Sequence, residues 1–142
     1  RLKLTAMATT PDTIHSLVHN GAEDPPGLLY ARAVQRDMSF LPPQKIHPEA
    51  AVSDSPAMAS IGATLLAAWH AKVDGPRRIF YRFSLDGGEN FLPVQALRTG
   101  EASVGYPAVA TTPDGRFVLA WQENEVIKVM HLDAPRQSVA LR

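Results

Sequence analysis

The chain repeats itself every 51 residues, and this periodicity constrains its fold more than any other feature of the sequence. Residues 5–8 recur at 56–59 and again at 107–110. Between the first two copies the alignment runs on without a gap, so that 41–44 matches 92–95. Repeats of this length are typical of architectures assembled from equivalent units. We therefore expect a single domain, residues 1–142, built from units at approximately 5–55, 56–106 and 107–142.

Each unit has the pattern of four short strands separated by turns. In the second unit we predict strands at 57–60, 64–70, 78–83 and 94–98. Glycine-containing turns separate them, because glycine and its usual turn partners interrupt strands. No segment of ten or more residues shows a clear 3.6-residue periodicity, so we expect few helices.

The second strand of a unit is apolar on both faces. Residues 65–69 and 117–121 are apolar at every position. A sheet with one solvated face would instead alternate apolar and polar residues. Two buried faces in a four-stranded unit of this length are typical of a β-propeller blade. We therefore predict an all-β fold of about three antiparallel four-stranded blades.

A motif in the second unit predicts the turn between its third and fourth strands. Residues 84–91 fit the pattern Ser-x-Asp-x-Gly-x-x-aromatic. The carboxylate of Asp86 can accept hydrogen bonds from its own turn, and Gly88 permits positive φ. Phe91 would bury its ring where the chain re-enters the sheet. We expect Ser84 to complete this structural turn.

This motif resembles the Asp-box, or bacterial neuraminidase repeat, of sialidases and many other propellers. The resemblance implies that the box lies at the blade periphery, away from any active site. The strict pattern occurs once: the first unit keeps only Phe40, and the third keeps Leu132 and Asp133. The box is widespread among binding proteins, so it indicates architecture more than activity.

Three blades are too few for a closed ring, which has about four to eight. The chain is then one piece of a longer or nicked protein, half of a ring made by two copies, or an open stack with capped ends. We favour the first alternative, because the third unit stops within or just before its fourth strand, at 138–142. Its expected partners are therefore further blades.

Propellers usually bind ligands on a face formed by two sets of loops. Here the first set is 20–27, 71–77 and 123–125, and the second is 47–55 and 99–106. The ends of the second strands, and the residues before the innermost strands, should meet on that face. The candidate ligand-binding residues are His19, His70 and Gln122 from the former, and Asp54 and Tyr106 from the latter.

The repeated His19 and His70 have two interpretations. Neutral imidazole is a common ligand, so the pair could bind a ligand or metal. Alternatively, each is a strand-end residue hydrogen-bonded to a loop carbonyl. We favour the second interpretation, because adjacent blades place equivalent positions too far apart for one small ion. We assign packing roles to other repeated residues: Met7, Met58, Trp69 and Trp121.

The resemblance to the sialidase Asp-box implies a particular catalytic set. Sialidases hold the substrate carboxylate with three arginines. They also use a tyrosine–glutamate pair as nucleophile and an aspartate as acid/base. The Phe/Tyr-Arg-Ile-Pro segment of that family is absent. Tyr106 with Glu101 or Glu123 is a conceivable nucleophile pair. The remaining arginines give no catalytic assignment: Arg77, Arg78 and Arg98 lie in or near the loops without a family motif, and Arg32 and Arg82 are expected at a solvated blade edge.

Composition excludes several other classes of function. Fourteen basic and fourteen acidic residues give zero net charge, and the basic residues are scattered, so we expect no nucleic-acid binding. No apolar run approaches 18 residues, and we expect no membrane-spanning helix. There are no cysteines and no phosphate-loop or zinc-protease motif, so we predict neither a cofactor nor a metal site.

These observations favour a non-catalytic propeller segment that binds a glycan or a protein through its loop-bearing face. The alternative is part of a sialidase-like glycoside hydrolase whose catalytic residues lie mostly on other blades. We expect an extracytoplasmic location, with which the absence of cysteine is compatible.

Overall fold

The computed structural model describes residues 2–47, 51–100 and 102–136. These residues form twelve β-strands and no helix, and therefore include no helix able to span a membrane. The strands are β1 (Leu2–Thr10), β2 (Thr13–Asn20), β3 (Gly27–Val34), β4 (Ser39–Phe40), β5 (Gln44–Lys45), β6 (Val52–Ile61), β7 (Thr64–Lys72), β8 (Arg78–Ser84), β9 (Gln95–Ala96), β10 (Val104–Thr111), β11 (Phe117–Glu123) and β12 (Val126–Leu132).

The strands form three antiparallel sheets, one for each repeat unit. Blade 1 has the order β1-β2-β3-β4, with β5 also paired to β3. Blade 2 has the order β6-β7-β8-β9, and blade 3 has the order β10-β11-β12. The predicted all-β blade architecture is thus confirmed. The fourth strand predicted at 138–142 lies outside the described residues.

Blade 2 is packed on both faces, as its doubly apolar second strand predicts. Every residue from Leu65 to Ala71 on β7 is buried. Leu65 and Trp69 point to a core shared with blade 1, whereas Leu66 and Ala68 point to a core shared with blade 3. Burial of a large apolar side chain stabilises a fold by roughly 1.5–3 kcal/mol, so these two interfaces dominate the packing.

The first strand of blade 2 is longer than predicted. β6 starts at Val52 rather than at 57, because a β-bulge between Asp54 and Ala57 lets the strand continue past the predicted boundary. Ser55 and Tyr106 occupy equivalent bulge positions and have φ of 52° and 54°. Bulges redirect side chains and are common beside functional sites.

The fourth strand of blade 2 is shorter than predicted. Within the expected range 94–98, only Gln95 and Ala96 pair with β8. Leu97 still donates its backbone N–H to Ile79, so the chain follows the sheet edge without forming a longer ladder.

The Asp-box forms the turn that its pattern predicts. The Gly88 N–H donates to Ser84 Oγ at 2.8 Å, and Ser84 Oγ donates to Asp86 Oδ1 at 2.9 Å. The backbone N–H of Asn90 also donates to Asp86 Oδ1 at 2.9 Å. These hydrogen bonds hold the pKa of Asp86 below its usual value despite an opposing effect of desolvation, the largest single contribution.

The box also packs against blade 1. A Cβ atom on Gly88 would lie 2.0 Å from the hydroxyl oxygen of Tyr30 and 2.9 Å from Cε1 of His15. The ring of Phe91 meets Tyr30 edge-on, with 4.8 Å between centroids. Glycine is therefore required at position 88 by close approach as well as by its φ of 85°.

Two expectations about individual side chains are wrong. Met7 is 54% exposed rather than in the core, because no described residue covers the outer face of blade 1. Arg82 is not at a solvated edge: its guanidinium donates to the backbone oxygens of Leu92 and Ile46, each at 2.9 Å. It thereby connects blade 2 to the loop that leaves blade 1.

Candidate functional site

The loop-bearing face has an uneven rim. Between its second and third strands, blade 1 has six residues, 21–26, and blade 2 has five, 73–77. Blade 3 has only Asn124 and Glu125, both with positive φ. Such two-residue turns join hairpin strands directly. Blade 3 therefore adds little height, and the adjacent part of the face is open.

A cluster of polar side chains lies beside this low rim, where blade 2 meets blade 3. Asp54 and His70 are cross-strand partners on β6 and β7. Nδ1 of His70 accepts a hydrogen bond from the backbone N–H of Tyr106 at 3.0 Å. The two rings stand nearly perpendicular, 5.0 Å apart. The bulge at Tyr106 thus directs its ring to His70. We call Asp54, His70, Arg77 and Tyr106 the His70 cluster.

Arg77 provides the positive charge of the His70 cluster. Its Nε donates to the backbone oxygen of Val104 at 2.9 Å. Its guanidinium carbon lies 4.8 Å from the centroid of the Tyr106 ring, a cation–π distance. Among the described residues, none accepts a hydrogen bond from its two terminal nitrogens. These nitrogens therefore remain available to a ligand on the open face.

Gly105 makes room for this arrangement. A Cβ atom at that position would lie 2.5 Å from Nε of Arg77 and 2.8 Å from Nδ1 of His70. The equivalent residue in the second unit is Asp54, which has a carboxylate side chain instead. The glycine in the third unit thus allows the histidine and arginine of blade 2 to approach the backbone of blade 3.

Burial, and then the nearby charge of Arg77, lowers the pKa of His70 to about 4, whereas Asp54 acts in the opposite direction. The imidazole is therefore neutral at pH 7, which suits a ring nitrogen that accepts from a backbone N–H. Arg77 supplies the positive charge, and Asp54 the negative charge, of the cluster. Oδ1 of Asp54 accepts from the N–H of Ser55 at 2.7 Å.

Arg78 holds the neighbouring loop in place. Its Nη1 donates to the backbone oxygens of Gly100 at 2.7 Å and Ala102 at 3.2 Å. The N–H of Val104 also donates to the backbone oxygen of Arg77 at 3.1 Å. The two adjacent arginines therefore make different contacts. Arg78 donates hydrogen bonds to loop carbonyls, whereas the guanidinium of Arg77 lies over the ring of Tyr106.

The structure brings together three of the five predicted ligand-binding residues, namely Asp54, His70 and Tyr106. Gln122 is exposed and pairs with Gly105, so it lies beside them on blade 3. His19 is a half-buried residue of blade 1 that pairs with Lys3. No contact joins the described atoms of His19 to the His70 cluster.

Of the two conceivable nucleophile pairs, only that of Tyr106 with Glu123 lies within the described residues, and no hydrogen bond or ring contact joins these two side chains. The carboxylate of Glu123 accepts from Trp121 Nε1 at 3.2 Å and from Lys128 Nζ at 3.1 Å. Tyr106 instead packs on His70 and Arg77. Glu101, its other potential partner, lies outside the described residues. In the part of the chain that the structure describes, no group of three or more acidic or histidine side chains is placed to hold a metal.

Sequence reasoning missed the roles of Arg77 and Gly105. The sequence placed Arg77 in a ligand-face loop but gave no reason to choose it over Arg78. One signal was present: the third unit has glycine where the second has Asp54, immediately before the predicted ligand-binding residue Tyr106. A glycine at such a position indicates a close approach of another group to the backbone.

Structural comparisons identify the architecture. A Hadza microbial sialidase matches 86% of this chain with a TM-score of 0.62 at 12% identity, and the match covers 32% of that protein. The intramolecular trans-sialidase from Ruminococcus gnavus matches 93% with a TM-score of 0.61 at 10% identity, covering 32% of that protein. The fold is that of a β-propeller. An endo-arabinase from Bacteroides thetaiotaomicron matches 91% with a TM-score of 0.58 at 14% identity, covering 56% of that protein.

The likeness lies in the fold and not in the sequence. No protein-family model matches the chain, and no curated protein matches it in sequence. This propeller chain spans about a third to a half of the length of the structures it resembles. The comparisons therefore establish the blade architecture of the chain, with sialidases and arabinanases as its structural neighbours.

Proposed function

We propose that the loop-bearing face of this propeller binds a carbohydrate at the His70 cluster without cleaving it. The observation that carries the proposal is the exposed Tyr106 ring, held between His70 and the guanidinium of Arg77. Tyr106 is 56% exposed. Its orientation is set by the bulge, in which its φ is 54°. A solvated aromatic ring fixed in this way provides a stacking surface for the apolar face of a sugar.

The polar groups around the ring match the other half of sugar chemistry. Arg77 has two terminal nitrogens able to donate, in the planar arrangement that suits a carboxylate. Asp54 provides acceptor oxygens for hydroxyl groups, and Gln122 on the adjacent strand can donate and accept. Because Arg77 supplies a positive charge, we expect acidic sugars to bind more tightly than neutral ones. One structural neighbour, the trans-sialidase, was solved with oseltamivir carboxylate.

The carboxylate geometry supports binding rather than hydrolysis. Outside families with a tyrosine nucleophile, such as sialidases, glycoside cleavage usually needs two carboxyl groups about 5–10 Å apart. Among the four residues of the His70 cluster, only Asp54 has a carboxylate. Glu123, on the adjacent blade, is engaged with Trp121 and Lys128. The carboxylates of Asp54 and Glu123 therefore form hydrogen bonds with different partners, on blade 2 and blade 3 respectively.

Substitutions in the His70 cluster should weaken the binding of acidic sugars. We expect the wild-type protein to bind 3′-sialyllactose more tightly than lactose in isothermal titration calorimetry. Y106A removes the stacking surface and should reduce the affinity by about 10-fold or more, since aromatic and arginine contacts dominate binding sites. R77Q should abolish the preference for the acidic sugar by removing the positive charge.

R36Q is the matched control, because Arg36 is exposed in the turn after β3, at the end of blade 1 away from the loop-bearing face. This variant should bind like the wild type. Equal affinity of wild type, Y106A and R77Q for sialyllactose would refute the proposed site.

The second candidate function is part of a sialidase-like glycoside hydrolase, with most catalytic groups on further blades. It is favoured by the names of the structural neighbours, which are sialidases and arabinanases. It predicts release of fluorophore from a methylumbelliferyl sialoside by a protein with its full set of blades. Absence of release from that protein would eliminate it. Either function would fit an extracytoplasmic location, which stays a prediction.

A further inference from the structure

The outer face of blade 1 carries a broad apolar groove with a volume of about 610 Å³. It is lined by residues of β1 to β4 and of the turn between β4 and β5. Met7, Phe40 and Leu41 line it and are 54%, 51% and 44% exposed. Apolar patches of this kind, when they occur on a folded protein, usually mark an interaction surface.

The repeat identifies the chemistry that fits this groove. Its lining residues are the 51-residue equivalents of the side chains by which blade 2 packs on blade 1. The equivalent pairs are Met7 and Met58, Val18 and Trp69, Leu29 and Phe80, and Phe40 and Phe91. The groove is therefore the blade 1 copy of a surface that, on blade 2, is covered by another blade.

The opposite end of the chain exposes the complementary surface. On blade 3, Phe117 and Trp121 point to the core shared with blade 2. Their strand neighbours Val118 and Ala120 point the other way, and Val129, paired with Ala120, is 64% exposed. Ala108 pairs with Ala120 where its equivalent Ala57 pairs with Ala68, so positions on β11 correspond to those 52 residues earlier on β7.

Val118 and Ala120 are therefore the blade 3 equivalents of Leu66 and Ala68. In blade 2, Leu66 and Ala68 form the face against which blade 3 packs. The two ends of the chain thus expose the two halves of an interface that the chain already makes within itself. The net charge of the whole chain is zero, which imposes no long-range repulsion between copies.

We propose that two copies of this chain associate head to tail, with the blade 3 face of each covering the blade 1 groove of the other. Both contacts are heterologous, and two of them close a symmetric ring without an exposed blade face. Each would reproduce the packing between consecutive blades in the chain. The inference does not depend on carbohydrate binding, because it rests on the opposite ends of the sheet stack.

Sedimentation equilibrium of the 142-residue protein tests the proposal. We expect twice the chain mass of 15.4 kDa at about 50 µM, where a micromolar contact is largely populated. V18E in the groove and V129E on blade 3 should each weaken association by about 100-fold, since each buries an unpaired charge. M38E is the matched control, because Met38 is 64% exposed but does not line the groove.

Mixing V18E with V129E distinguishes head-to-tail association from pairing of like faces. The mixture retains one unaltered contact, between the V129E groove and the V18E blade 3 face, and should recover part of the dimer. Circular dichroism of each variant verifies that its strands remain folded. A wild-type monomer, an assembly of another size, or a dimer insensitive to V129E would overturn the proposal.

Discussion

The G88A variant should lose about 3 kcal/mol of unfolding free energy. A left-handed backbone costs an alanine about 1 kcal/mol relative to glycine, and overpacking a well-filled site adds about 1–3 kcal/mol. The added methyl would lie 2.0 Å from the Tyr30 hydroxyl oxygen. Tyr30 is 1% exposed and its hydroxyl is hydrogen-bonded to His15 Nδ1 at 2.6 Å. Urea denaturation followed by tryptophan fluorescence would measure the loss.

G87A separates steric conflict from backbone strain. Gly87 also has positive φ, at 67°, but a Cβ atom there would meet only Thr10 Oγ1 at 3.6 Å, an ordinary contact. This variant should lose about 1 kcal/mol, the backbone cost alone. If both variants lost the same free energy, the close approach of the Asp-box to Tyr30 would not contribute to stability.

The repeat and its turns were sufficient to predict the blades. Strands interrupted by glycine-containing turns recur in equivalent positions, and β7 is buried on both faces as its composition indicated. These properties are local: they depend on which residues follow one another. The Asp-box turn was predictable for the same reason, because its hydrogen bonds join residues no more than four positions apart.

Contacts between blades were harder to predict. Arg82 looked like an edge residue because its acceptor at Ile46 lies 36 positions away in another blade. The exposure of Met7 depends on whether another blade covers the outer face of blade 1. The sequence pattern within one unit does not contain that information. Positive φ at Tyr106 has no sequence signature in a non-glycine residue, so its exact orientation toward His70 required the structure.

Acid should destabilise the protein well above the range in which its carboxylates titrate. His15 is fully buried, with Nε2 hydrogen-bonded to Thr10 Oγ1 at 2.8 Å and Nδ1 to the Tyr30 hydroxyl. Burial, and then the charge of Arg32, lowers its pKa from 6.5 to about 4. The pKa of His70 is lowered to a similar value. In the unfolded chain both imidazoles bind protons near pH 6.5.

The sign of the effect follows from proton binding. Between pH 6.5 and 4 the unfolded state binds more protons than the folded state, so stability falls as the pH falls. The stability contributed by the neutral histidines is fully present above pH 6.5 and is lost progressively down to about pH 4. Each histidine should contribute on the order of 2–3 kcal/mol to this loss, since one pKa unit corresponds to about 1.4 kcal/mol.

Urea unfolding at pH 7.5 and 4.5 would measure the loss. H15Q should reduce the difference between the two free energies by about 2–3 kcal/mol, because it removes a buried imidazole whose pKa is lowered to about 4. H131Q is the matched control: His131 is exposed on β12, so the difference should stay as in the wild type. A wild-type stability that is equal at the two pH values would contradict the prediction, as would an H15Q variant with an undiminished pH dependence.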